Sequence, residues 1–136
     1  MAQATLVEME IKEGQRLLDR LNREGVPVTA AAWVLEAESG DWYLYLVTPL
    51  VGAEGGKKSA YHRVNEVIRQ MQQEGILTEP PEKKVIGPHD PIAKDLLAHR
   101  SSRPARIPIR FQGARLGDLA VDEAYIYPPT EDKQRL

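Results

Sequence analysis

Val28-Thr29-Ala30-Ala31-Ala32-Trp33-Val34-Leu35-Glu36 and Trp42-Tyr43-Leu44-Tyr45-Leu46-Val47-Thr48 are two apolar runs separated by the polar stretch Glu38-Ser39-Gly40-Asp41. Each run has the length of a strand, and the second is rich in aromatic and branched residues, so the stretch reads as a central β-hairpin. With Ala37 opposite Trp42, the pleat sends Trp33, Leu35, Leu44 and Leu46 to one face. Ala32, Val34, Tyr43, Tyr45 and Val47 go to the other. Both faces are largely apolar. Such a hairpin needs cover on two sides, from helices of its own or from a partner.

Working outward, Val7, Ile11, Gly14, Leu18 and Leu21 recur at helical spacing between about Thr5 and Glu24, and Gly25 followed by Pro27 ends that helix before the hairpin. On the other side, Thr48-Pro49 leads into a glycine-containing loop. A second amphipathic helix follows from about Lys57 to Glu74, with the stripe Tyr61, Val64, Val67, Ile68 and Met71 and a stop at Gly75. Pro80-Pro81 stiffens the approach to a short strand at Lys84-Val85-Ile86. Asp90-Pro91 then opens a third helix, with Asp90 as the cap, Pro91 at its first position, and Ile92, Leu96 and Leu97 turned inward. A second hairpin closes the order, Ile107 to Leu116 and Leu119 to Tyr127, joined by Gly117-Asp118. Its alternation breaks at Asp122-Glu123, where a β-bulge restores the register. The expected fold is α+β: three helices on a mixed, mostly antiparallel sheet of about five strands, in the order α-β-β-α-β-α-β-β. One domain is expected over residues 1–129, with a polar, disordered tail at 130–136.

Arg16-Leu17-Leu18-Asp19, Gly25-Val26-Pro27-Val28-Thr29-Ala30-Ala31 and Ala124-Tyr125-Ile126-Tyr127 resemble the corresponding segments of a family of uncharacterised small bacterial proteins with no assigned activity. The resemblance covers most of the chain and implies a bacterial origin. Its motifs are structural: a helix stop, a strand entry and a terminal strand.

Composition narrows the function classes. Apolar residues make up 42% and charged residues 28%, a globular balance, and the net charge of −2 gives no global attraction to nucleic acid or anionic membrane. The absence of cysteine removes disulfides, thiolate catalysis and cysteine-based metal sites. No basic leader or membrane-length apolar run is present, so a cytoplasmic location without membrane association is expected.

Several motifs invite chemistry. Gly52-Ala53-Glu54-Gly55-Gly56-Lys57-Lys58-Ser59 lies between a strand and a helix and resembles a phosphate-binding loop, yet Val51 occupies the place of the first glycine and Lys58 that of the magnesium-binding hydroxyl. His89-Asp90 has the form of a metal-binding pair, but the chain has only three histidines, and Asp90 is better explained as a cap. Glu82-Lys83-Lys84 contains half of a nuclease-type motif, which is expected by chance among 20 acidic residues. His62 and Glu66 lie four apart on a helix face, where a solvated pair is the ordinary outcome.

From His99 to Arg115 the chain carries Arg100, Arg103, Arg106, Arg110 and Arg115 with no acidic residue. Guanidinium groups at this density bind phosphates or an acidic partner, or pair with the protein's own acids. No set of residues forms a catalytic constellation, and neither cofactor nor metal is expected. The leading expectation is a non-enzymatic protein-association module, either a homodimer or a small subunit of a larger bacterial assembly. Its contact face would be Val34, Tyr43, Tyr45 and Val47, unless one of the protein's own helices covers them. A nucleic-acid-associated protein using the 99–115 arginines is the alternative. A phosphate- or nucleotide-handling enzyme built on the loop at 52–59 comes third.

Overall fold

The structure is a computed structural model that describes residues 8–52, 55–101 and 107–128. The tail expected at 130–136 lies outside the described residues. Three helices and five strands alternate along the chain: α1 (Glu8–Arg23), β1 (Ala30–Glu36), β2 (Trp42–Val47), α2 (Gly56–Gln73), β3 (Lys83–Ile86), α3 (Pro91–Ser101), β4 (Ile109–Leu116) and β5 (Leu119–Ile126). A short 3-10 helix at Pro49–Gly52, in a segment expected to be a loop, precedes α2. The strands form one mixed sheet in the order β3-β2-β1-β5-β4, with β3 parallel to β2 and every other pair antiparallel. This is the expected α+β class.

The helix ends follow from local chemistry. Past α1, Gly25 takes φ +88° and Val26 N–H closes back onto the Leu21 carbonyl at 2.8 Å. Past α2, Gly75 takes φ +78° and Ile76 N–H reaches the Met71 carbonyl at 2.9 Å. Both wrap the otherwise unpaired last-turn carbonyls in the glycine-dependent manner. At the start of α3 the Asp90 carboxylate accepts from Ile92 N–H at 2.9 Å, so the Asp90-Pro91 pair is a helix start.

The central hairpin differs from expectation in register. Leu35, rather than Ala37, stands opposite Trp42. The loop is correspondingly longer, closed by Glu36 N–H to the Asp41 carbonyl at 3.0 Å and Gly40 N–H to the Glu36 carbonyl at 2.8 Å, with Gly40 at φ +72°. A shift of two residues preserves the pleat, so every side chain keeps its expected face.

Those two faces make two cores. Trp33, Leu35, Trp42, Leu44, Leu46 and Val85 pack with the buried stripes of α1 (Leu17, Leu18, Leu21) and α2 (Val64, Val67, Ile68, Met71). Ala32, Val34, Tyr45, Val47 and Ile86 pack with Ala93 and Leu96 of α3 and with Ile109, Leu116, Val121, Ala124 and Ile126 of the outer hairpin. α3 therefore crosses to the face that α1 and α2 leave open.

The outer hairpin carries the expected bulge. Leu35 faces Glu123 but Glu36 faces Val121, which leaves Asp122 as an extra residue on β5. Val121, Ala124 and Ile126 thereby all reach the core beneath α3. β4 makes a matching change of face between Phe111 and Leu116, both packed there, across Gly113 at φ +63°. Only a residue without Cβ adopts that conformation at low cost in a strand.

At Gly14, α1 packs tightly on side chains of the sheet. Trp33 Nε1–H donates to Tyr127 Oη at 2.9 Å, and Tyr127 O–H donates to the Ile11 carbonyl at 2.7 Å, tying α1 to the sheet. A Cβ on Gly14 would overlap Tyr127 Oη and lie 3.2 Å from Trp33 Nε1. Gly14→Ala is therefore expected to destabilise by about 2 kcal/mol, because overpacking in a filled core outweighs the roughly 1 kcal/mol that alanine gains in a helix. Urea midpoints should show the loss shrinking when Tyr127→Phe is added. A more stable Gly14→Ala protein would contradict the packing of α1.

Candidate functional site

β1 and β2 are covered from both sides, which places Val34, Tyr45 and Val47 inside the protein, with relative exposures of 0%, 2% and 0%. They are core residues beneath α3 rather than a face open to a partner. Tyr43 alone of the four is half-exposed, packed against the edge of that core.

Tyr45 belongs to a polar network that sequence reasoning did not identify. Its hydroxyl donates to Glu36 Oε2 at 2.5 Å, and Lys84 Nζ donates to the same oxygen at 2.8 Å. Glu36 is 7% exposed, and the Lys84 ammonium lies 4.4 Å from the centre of the Tyr43 ring. Burial, reinforced by the Glu36 carboxylate, pushes the Tyr45 phenol far above its ordinary value. The proton is held rather than transferred, so the network links β1, β2 and β3 as a structural clasp. The available sequence signal was a lone glutamate ending an otherwise apolar strand.

The described arginines of this stretch are held by partners within the protein. Arg100 donates to the Tyr127 carbonyl at 3.0 Å and to the Ile107 carbonyl at 2.6 Å, joining the end of α3 to both ends of the outer hairpin, and burial lowers its pKa. Arg110 pairs with Glu123 on the neighbouring strand at 3.2 Å and lies over the Tyr125 ring at 5.8 Å. Arg115 donates to the Asp118 carbonyl within its own turn at 3.2 Å. Arg103 and Arg106 lie outside the described residues. Three of the five arginines thus have intramolecular partners.

The glycine loop reaches the position that a phosphate-binding loop would occupy, at the C-terminal ends of the parallel pair β2 and β3. Pro49, Val51, Gly52, Lys57, Gly87 and His89 line an open cleft of about 570 Å³ there. Gly55 and Gly56 take φ +92° and +63° at the start of α2. Ala53 and Glu54 lie outside the described residues. Asp90 also lines the cleft, and one oxygen of its carboxylate caps α3. Among the described residues no three His, Asp or Glu side chains gather as a set able to hold a metal ion, and no helix is long and apolar enough to cross a membrane.

The outer hairpin contrasts with the sheet centre. Each residue of β1 from Ala31 to Glu36 is buried, whereas Arg110, Gln112, Gly113 and Arg115 of β4 are exposed. β4 is also a sheet edge eight residues long, pairing only with β5 among the described residues. The other edge, β3, has four residues and follows Pro80-Pro81. Comparison with protein-family models, curated proteins and solved structures finds no match to this chain.

Proposed function

We propose that the protein is a non-enzymatic association module that pairs with a second copy of itself along β4. The observation that carries this reading is the eight-residue edge strand without a partner on its outer side among the described residues. Natural edges are usually guarded by charges that project past them. Here Arg110 and Arg115 bond back onto β5 and the turn, so the backbone of the edge remains approachable. Antiparallel pairing of two such edges would satisfy their free N–H and C=O groups and extend the sheet through both subunits.

Light scattering at high micromolar concentration should give twice the chain mass of 15.3 kDa. Hydrogen exchange should show alternate amides of Ile109–Leu116 gaining protection as concentration rises. A monomeric mass across that range, with β4 amides exchanging equally at all concentrations, would overturn the proposal.

A further inference from the structure

The sheet has a second edge, and its backbone is not left open in the same way as that of β4. At β3, Leu44 N–H donates to the Glu82 carbonyl at 2.8 Å and Thr48 N–H to the Ile86 carbonyl at 3.0 Å, so residues 82 and 86 turn their backbone groups toward β2. Backbone groups alternate in direction along a strand, which points those of Lys83 and Val85 away from the sheet. These are the groups that an added strand would use. The Val85 N–H is already engaged, because it donates to Tyr61 Oη of α2 at 2.9 Å. Tyr61 is half-buried and packs against the core shared by α1 and α2, which holds its hydroxyl at the edge.

The lysines of β3, a residue type that commonly protects an edge by charge, are committed elsewhere. Lys84 Nζ donates to Glu36 Oε2 at 2.8 Å. Lys83 folds back against α2, with its ammonium 5.9 Å from the centre of the Tyr61 ring, and burial lowers its pKa. Protection of the outward backbone of β3 therefore falls to Tyr61 rather than to charge.

We propose that Tyr61 is an edge guard: it closes β3 to a second chain, so that self-association has only β4 available and ends at two subunits. Two open edges would let β4–β4 and β3–β3 contacts alternate without limit and produce a filament, whereas one open edge gives a closed pair. The closed pair rests on the pairing proposed for β4, but the guarding of β3 does not.

Tyr61→Phe keeps the ring and removes the acceptor, and it should raise the exchange rate of the Val85 amide about tenfold or more. Tyr61→Ser removes ring and acceptor together. Light scattering on Tyr61→Ser at high micromolar concentration should give a mass that keeps rising with concentration where the parent levels off at two chains. If the parent is monomeric, which refutes the β4 pairing, the same variant should reach two chains and stop. Val64→Ala, a fully buried position on the same helix, weakens the fold without opening the edge and should keep the parent mass. A Tyr61→Ser mass equal to the parent's at every concentration, an equal rise for Val64→Ala, or a Val85 amide that exchanges no faster in Tyr61→Phe would overturn the proposal.

Discussion

Gly117→Val is expected to lower the stability of the domain by about 4 kcal/mol, the sum of strain at a left-handed position and overpacking at a filled contact. Gly117 has φ +61° in the two-residue turn between Leu116 and Leu119, a conformation that a β-branched residue adopts only under strain. The turn is also docked. A Cβ at this position would meet Pro91 Cβ at 2.9 Å and Ile92 N at 3.0 Å, and Gly117 N–H already donates to Asp95 Oδ2 at 2.6 Å. The added side chain would push the hairpin tip away from the first turn of α3. Because α3 covers Val34, Tyr45 and Val47, the variant should also bind a hydrophobic dye more strongly than the parent. The checks are the denaturant midpoint and dye fluorescence. An unchanged midpoint would refute both the turn and its contact with α3.

Glu36→Ala should cost about 3 kcal/mol, the low end for breaking a buried charged pair, since the Lys84 side chain is 41% exposed and can recover water. The Tyr45 hydroxyl cannot, because the residue is 2% exposed and would keep a buried donor without its acceptor. Glu36→Gln should lose less, since an amide oxygen can still accept from the hydroxyl. Tyr45→Phe in the Glu36→Ala background should recover part of the loss by removing the orphaned group. A double-mutant cycle on urea midpoints measures this coupling. Additive losses would mean that the clasp across β1, β2 and β3 does not operate as a unit.

Much of the architecture is written locally. The spacing of Leu18 and Leu21, the glycines at 25 and 75, the Asp90-Pro91 start and the Gly117-Asp118 turn each act within a few residues, and each does in the structure what its chemistry dictates. The bulge at Asp122 was legible for the same reason, since alternation counts in twos and a single extra residue breaks the count. The register of the central hairpin was not legible. Pairing Leu35 or Ala37 with Trp42 sends the same side chains to the same faces, so hydrophobic pattern cannot distinguish a two-residue shift.

The sequence alone determined that both faces of the central hairpin must be covered. Only the tertiary structure decided what covers them. α3 presents a small apolar surface, chiefly Ala93 and Leu96, and no local signal states on which side of the sheet a connecting helix will pass. Its crossing turned Val34, Tyr45 and Val47 from candidate contact residues into core. The arginines show the same division. Their density is a property of the sequence, but whether a guanidinium meets solvent, a phosphate or a carbonyl depends on where distant segments end. Arg100 reaches Tyr127, 27 residues away, because β5 returns beside the end of α3. A cleft of about 400 Å³ is likewise absent from any single stretch: Glu10 and Glu13 of α1, Glu79 and Glu82 of the α2–β3 connector, Trp33 of β1 and Trp42 of β2 line it together, and only packing gives them a common cavity.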